Sequence, residues 1–501
     1  MKKLRRELGV WGSFTWGYAD VGADVYVALG LVFASAQGWA PLAFAVAGLL
    51  YILVGLAHTE LASSYPVAGG VKFWTLRSLG DFPGFIAGAA LLLDYTIDIA
   101  LFATASAGYI NFFFPEIREY RKTIGPFEDV NWIWLGESLF LIFLLALLNI
   151  RGIRESSFFN SFVGLADMIL ETSIICGAFV LAWKHEMFVE QWKMSPPSAK
   201  DFLYATTIAI ISFVGIESIA QAAEETRRPS GVIPRSSKAL IISVLLFAIA
   251  FPTVALGVVD WNLLAEREGD PVAALTSKIP FFGFIGGSIA ALLGATIILI
   301  SANTGIMGAS RTAFSMGEYG LMGKQFGVVH PRYRTPVRAI IFFSFIAAIQ
   351  TIFGFLSGPR AMETLVDMYA FGATLAYFLG FLALIALRFQ DPLLPRPFSM
   401  PFNITVKNGI KFPVLAVFGA LGTLAMLITI LMTHPLGRVA GPLWLLGWII
   451  YYIVFRVKSG LPIFSSVPRN WTQEQLNLLE SAEENELLEI YLIRLKDRGK
   501  I

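Results

Sequence analysis

Apolar runs of roughly 20 residues or more, bounded by charged or turn-forming clusters, recur along the chain. They fall near 10–36, 40–63, 82–113, 131–150, 158–183, 202–223, 234–259, 283–315, 336–356, 364–388, 413–433 and 436–457. As a helix, a run of that length crosses the hydrocarbon core of a bilayer, about 30 Å, with its own backbone satisfied. The pattern predicts an all-α integral membrane protein of about twelve transmembrane helices. Two runs are interrupted. In the first, Gly17, Gly22 and Gly30 surround Asp20 and Asp24; in the sixth, Ser212-Phe213-Val214-Gly215-Ile216-Glu217-Ser218 sets a glycine and a carboxylate mid-span. A lone glycine in a membrane helix usually marks close packing. Beside ionisable residues in two corresponding places, it predicts broken helices 1 and 6 in a 5+5 inverted repeat with a midplane binding site. The repeats would run over 10–183 and 202–388, with two extra helices over 413–457.

Beyond residue 457 the pattern changes. Thr472 to Lys496 interleaves Leu476, Leu479, Leu488, Leu492 and Leu495 with charges, acidic first and basic last. This predicts one amphipathic helix capped near Thr472, docked on the membrane domain (1–457) as part of a tail over 458–501.

Composition agrees with the pattern. Hydrophobic residues are 56% of 501, charged residues 15%, and mean hydropathy is +0.66, which excludes an ordinary soluble globular domain. Threaded with the N-terminus inside, the spans put 28 of the 38 Lys and Arg residues on one face. By the positive-inside rule both termini are expected in the cytoplasm, with the chain multi-pass in the cytoplasmic (inner) membrane. A net charge of +2 gives no reason to expect a nucleic-acid partner. Met1 to Arg6 could open a signal peptide, but Asp20 and Asp24 follow without a cleavage site, so the segment is expected to be retained. Cys176, alone within span 5, reads as packing, and the four histidines have no ligand spacing. No cofactor, resident metal or enzymatic nucleophile is expected.

The chemistry is carried by acids inside the apolar runs. Asp20 and Asp24 lie in span 1, Asp94 and Asp98 in span 3, Asp167 and Glu171 in span 5, and Glu217 in span 6. Each pair has i, i+4 spacing, which puts both members on one helical face. A carboxylate at the bilayer centre costs about 2.5–3.5 kcal/mol, so those faces must look inward. Apart from His58, the bases lie at or beyond the span ends. Unpaired acids of this kind hold protons or bind a cation.

Tyr65-Pro66-Val67-Ala68-Gly69-Gly70 resembles the stretch after the second span of the amino acid–polyamine–organocation (APC) superfamily. Ala223-Glu224-Glu225-Thr226-Arg227-Arg228-Pro229 with Ile233-Pro234-Arg235, then Ser310-Arg311, Glu318-Tyr319-Gly320, His330 to Pro336 and Arg396-Pro397-Phe398 continue the likeness in order. The resemblance implies a LeuT-like fold, with solute bound between spans 1 and 6 and alternating access driven by spans 1, 2, 6 and 7. It departs at the binding loop. Amino acid permeases of the superfamily read Gly-Ser-Gly-Ile-Phe there, and this chain reads Gly22-Ala23-Asp24-Val25-Tyr26. An ionised Asp24 would repel a substrate carboxylate by about 4 kcal/mol at an effective dielectric of 20. Tyr18-Ala19-Asp20-Val21-Gly22, Leu93-Asp94-Tyr95 and Asn149-Ile150-Arg151-Gly152 are similar to KUP/KimA-type potassium importers, which would make Asp20, Asp94 and Glu217 cation-site carboxylates.

The expected site is therefore Asp20, Gly22, Ala23, Asp24, Tyr26, Asp94, Asp98, Gly215 and Glu217, with Phe213 as an aromatic lid. Asp167, with Ser301, Asn303 and Thr304 of span 8, is expected at a site for a coupling proton or sodium ion. Four readings follow. The leading one is a proton-coupled secondary transporter of a small cationic solute, a cationic amino acid or polyamine. The others are a potassium importer, a neutral amino acid permease, and a membrane sensor that signals through its tail.

Overall fold

The computed structural model describes residue 6 and residues 8–22, 24–67, 69–152, 156–221, 223, 225–358, 361–406 and 409–499. Among them are 11 helical segments long and apolar enough to cross a membrane. The first, Val10–Ser64, is 55 residues long and holds two crossings, which gives twelve.

Span 1 is split into Val10–Val21 and Asp24–Ala36, and span 2 is Ala40–Ser64. Spans 3, 4 and 5 are Asp81–Ile110, Trp132–Arg151 and Ser156–Gly177. Span 6 comprises the helix Ala199–Ala209, a 3₁₀ turn at Ile210–Phe213, extended backbone at Val214 and the short helix Glu217–Gln221. Spans 7 to 12 are Pro229–Leu256, Gly283–Glu318, Val337–Leu356, Ala361–Gln390, Val414–Thr433 and Gly437–Lys458. Pro229 opens span 7, where its missing N–H costs nothing.

The packing pairs obey a pseudo-two-fold relation between spans 1–5 and 6–10. Span 1 packs on span 7 as span 6 packs on span 2, span 5 on span 8 as span 10 on span 3, and span 4 on span 3 as span 9 on span 8. Spans 3 and 8, related by that axis, share the most extensive contact. Small residues let them approach: a Cβ on Gly308 would lie 2.8 Å from the Tyr95 ring, and one on Gly305 3.1 Å from the Tyr95 carbonyl.

Three details depart from expectation. The connection after span 2 is a buried helix, Gly70–Leu79, entered through Gly69 at φ +107°, a backbone conformation that favours glycine. Two loops carry antiparallel hairpins, β1 (Lys122–Ile124) with β2 (Phe127–Val130) and β3 (Asn403–Thr405) with β4 (Lys411–Pro413). The tail forms two helices, Trp471–Ser481 and Asn485–Asp497, because the chain turns at Glu483 with φ +56°. Its cap is Asn470, whose side chain accepts from the Gln473 N–H at 3.1 Å, two residues before the expected Thr472.

The tail is docked. Gln475 bridges the Arg77 guanidinium (3.0 Å) and the Ser64 carbonyl (3.1 Å), and the Tyr319 hydroxyl donates to Glu474 at 2.5 Å. Glu484 accepts from the Ser230 N–H at 2.8 Å, and Arg6 donates to the Ser481 carbonyl at 3.0 Å. Both ends of the chain thus cap the same end of the bundle. Cys176 is exposed on the outer surface of span 5, so it does not pack in the core as its sequence position suggested.

Candidate functional site

The two breaks meet. The Gly22 N–H closes the first half of span 1 on the Tyr18 carbonyl at 2.7 Å, after which the helix stops and restarts at Asp24. In span 6, Gly215 sits at φ +113°, and a Cβ there would lie 2.8 Å from Val21 Cγ2 and 3.0 Å from Asp20 Oδ2. Glycine is what lets span 6 lie against Asp20. Gly17 and Gly30 are packing glycines, against Leu240 and Ile219 and against the Leu264 carbonyl. The interruption also ends the helical i, i+4 relation expected of Asp20 and Asp24, since they belong to different half-helices.

Asp20 is bound by hydroxyls. Ser218 donates to Oδ2, and Thr304 and Ser301 (3.3 Å) donate to Oδ1. Asn303 does not join them. It lies two residues on from Ser301, on the opposite face of span 8, where its Oδ1 accepts from Asn149 Nδ2 at 2.7 Å. Helical periodicity therefore splits the polar trio proposed from sequence.

Around Asp20 lie four more buried acids, of which Asp94, Asp98 and Glu217 interact electrostatically with it or with one another, and Asp24 with all four. Glu217 Oε2 accepts the Gly215 N–H at 3.1 Å and the Tyr377 hydroxyl at 2.9 Å. Asp98 takes the Tyr369 hydroxyl on one oxygen and nothing on the other, and neither oxygen of Asp94 has a hydrogen-bond partner. Asp24, which opens its half-helix where a negative charge suits the dipole, leaves Oδ1 unpartnered. None of the ion pairs among the described residues includes any of the five; those pairs join other acids, such as Glu60, Asp81, Asp270 and Asp391. Buried carboxylates short of donors and of counter-charge can take up a cation or protons.

The remaining expected residues divide. Phe213 is buried and stacks on Tyr51 with ring centroids 5.1 Å apart. With Leu50, Val54, Thr374, Tyr377 and the span 11 residue Thr423 it lines a cavity. Asp167 Oδ1 accepts the Tyr26 hydroxyl at 2.7 Å, and Glu171 accepts the hydroxyl of Tyr18. The span 5 acids are thus tied to span 1 on both sides of its break. Ala23 lies outside the described residues. Sequence reading missed Ser218, Tyr369 and Tyr377. The two tyrosines are eight residues apart, on one face of span 10, a spacing that points to a shared target only once a partner helix is known.

The sequence profile of the amino acid permease family matches residues 8–455, which takes in both broken spans and every acid of the cluster. The chain belongs to the amino acid permease family. This permease is 26% identical over 471 residues to a branched-chain amino acid permease of Bacillus subtilis, covering 92% of the chain and 95% of that relative. It is 30% identical over 387 residues to cationic amino acid transporter 4 of Mus musculus, covering 74% of the chain and 58% of that longer protein. A methylthioribose transporter of Bacillus subtilis is 25% identical over 411 residues, 80% and 85% of the two chains.

The permease places its loop motifs as mutual partners. Glu225, after span 6, pairs with Arg311 of span 8 at 3.0 Å. Arg396, before span 11, joins Arg388 on the buried Glu60, whose two oxygens take Arg388 at 2.6 Å each and Arg396 at 3.2 Å. All lie toward the end that carries the termini.

Proposed function

We propose that this permease is a proton-coupled secondary transporter of a small solute bearing an ammonium group, a cationic amino acid or a polyamine, held between the broken spans 1 and 6. The observation that carries the reading is the cluster Asp20, Asp24, Asp94, Asp98 and Glu217, buried and outside every ion pair among the described residues. A solute amine supplies the charge that the protein withholds. Asp94 and Asp24, with their unpartnered oxygens, are the first contacts for it, while Asp20 is held in place by Ser218, Ser301 and Thr304. Tyr26 and Gly22 border the break, and the cationic transporter among the relatives supports the same cargo class. Asp167, with Glu171, is the place for the coupling proton, because a change of charge there is transmitted through Tyr26 and Tyr18 to both halves of span 1. The 28 to 10 division of basic residues supports cytoplasmic termini.

The test is uptake by purified protein in proteoliposomes, with arginine, lysine, putrescine, spermidine, leucine and potassium as separate cargoes, with and without an inward proton gradient. Amine uptake that the gradient accelerates is expected, and Asp94→Asn is expected to reduce it more than tenfold. Potassium flux alone, or leucine flux alone, would replace this reading with another. A neutral permease is the second reading, favoured by the branched-chain relative that the chain matches over nearly its full length. It requires Asp24 to be dispensable, so Asp24→Gly should leave leucine uptake intact or improve it. If amine uptake is what Asp24→Gly abolishes, the cationic reading stands.

A further inference from the structure

Breaking a helix frees backbone N–H groups, and freed N–H groups are the donors that a buried carboxylate seeks. At the break in span 6 several of them already have partners in the protein. The Val214 N–H donates to the Ile211 carbonyl at 3.1 Å, and the Ser218 and Ile219 N–H groups donate to the Gly215 and Ile216 carbonyls at 2.9 and 3.3 Å. The Gly215 N–H, which at φ +113° stands outside the helical ladder, is taken by a carboxylate of the chain itself, Glu217 Oε2 at 3.1 Å. The same carboxylate takes its own backbone N–H, and the Tyr377 hydroxyl at 2.9 Å adds a further donor. In span 1 the Gly22 N–H goes to the Tyr18 carbonyl at 2.7 Å, and Asp24 stands in the first turn of the restarted helix. A solute carboxylate brought to these breaks would have to displace Glu217 from Gly215 and then lie beside it, and like charges at contact distance repel.

The demand for cations is the opposite. Asp94 has no partner on either oxygen, and Asp98 has none on one. They lie four residues apart in the unbroken helix Asp81–Ile110, on one face and about 6 Å apart along the axis at a rise of 1.5 Å per residue. Each has an acid from a broken span as its neighbour: Asp24 interacts with Asp98, and Glu217 with Asp94. The cluster therefore offers two tiers of negative charge one helical turn apart, with the hydroxyl-bound Asp20 interacting with both. Two ammonium groups on a short aliphatic chain, as in putrescine, have about that spacing.

Resting on the reading of this site as an amine site, we propose that Glu217 fills the place that a solute carboxylate would take. The cargo is then a carboxylate-free diamine or longer polyamine with ammonium groups about 6 Å apart, and not the amino acid that differs from it by a carboxyl group. One ammonium group meets Asp24 and Asp98, and the next meets Asp94 and Glu217. Glu217 is thus a specificity-determining residue, because its charge attracts the amine while its seat on Gly215 excludes the acid.

Calorimetric titration of the full-length permease in nanodiscs with matched pairs, putrescine against ornithine and cadaverine against lysine, isolates the carboxylate, which is the difference within each pair. The diamine of each pair is expected to bind at least about tenfold more tightly than the amino acid. Glu217→Ala empties the seat on Gly215 and should raise the affinity for ornithine about tenfold while lowering that for putrescine. Glu217→Gln, which can still accept the Gly215 N–H, should weaken putrescine binding with a smaller gain for ornithine. Ornithine binding as tightly as putrescine to the unaltered protein, or no gain for ornithine in a folded Glu217→Ala variant, would overturn the inference and leave the amine reading standing. If the variant fails to fold, the pairs measured on the unaltered protein decide. Binding of no member of either pair would overturn the amine reading and the inference with it.

Discussion

Asp24 stands where bare backbone amides would serve if a carboxylate were the group to be held. Its partial freedom from hydrogen bonds distinguishes it from Asp20, which has three hydroxyl donors. The two acids should therefore respond differently to neutralisation. Asp20→Asn introduces donors facing three hydroxyls and should lower the thermal unfolding midpoint as well as uptake. Asp24→Asn should leave the midpoint nearly unchanged and abolish uptake of the amine, a contrast that differential scanning fluorimetry and a flux assay resolve together. Glu60 is the opposite kind of acid: both its oxygens are taken by Arg388 and Arg396, and one also accepts the Met400 N–H at 2.7 Å. Glu60→Gln strands two guanidinium groups and is expected to destabilise by about 3–5 kcal/mol, read as a lower unfolding midpoint and poor recovery of folded protein. At this scale the sequence was informative about which acids lie in the membrane. It was silent about their partners, since Ser218, Tyr369 and Tyr377 become ligands only through helix packing across up to 281–284 residues of chain in the comparable case of Asp20 with Ser301 and Thr304.

Among elements, both breaks were legible because a glycine and an acid in an apolar run have few other uses. The span boundaries were legible for the same reason that hydropathy works: each crossing must satisfy its own backbone. The helix Gly70–Leu79 was not, because Lys72 and Arg77 make it look like a polar loop. In the fold it is buried, with Lys72 Nζ 2.5 Å from Ser315 and 4.6 Å over the Tyr319 ring, and Arg77 2.8 Å from Asp391. The single amphipathic tail helix failed on a local matter, a left-handed residue at Glu483 that no propensity marks. The break in span 6 yields a prediction of its own. Gly215→Ala places a methyl against Asp20 and Val21 at a backbone angle that costs a non-glycine residue roughly 1–2 kcal/mol. Span 6 must then retreat from span 1, and amine uptake should fall at least tenfold while the protein still inserts in the membrane, as judged by its yield in the extracted fraction.

For the whole molecule, the pseudo-two-fold packing brings the breaks of spans 1 and 6 together at Asp20 and leaves each end to be sealed separately. One end carries the ion pairs of Glu60, Asp81, Glu225 and Asp391 and the docked tail; the other carries the contact of His434 Nδ1 with Asp367 at 2.9 Å and the Asp270 pairs with Arg267 and Arg118. The tail spans from Ser64 and Arg77 to Tyr319 and Ser230, touching elements of both halves. Deletion of residues 466–501 should therefore lower the unfolding midpoint by several degrees and leave solute uptake measurable. Loss of all signalling with unchanged absence of uptake would favour a sensor. The deletion also removes Arg469, which lies 2.5 Å from Asp81, but keeps Arg456 at 3.0 Å.

That last pairing bears on how the protein is made. Asp81 begins span 3, fully buried, and its two cationic partners among the described residues are Arg456 and Arg469. During synthesis the acid enters the membrane boundary more than 370 residues before the first of them exists. Until the last crossing is inserted, the Asp81 carboxylate at this helix junction lacks both of the guanidinium groups that hold it in the finished permease, so span 3 docks in its final place only when the end of the chain arrives.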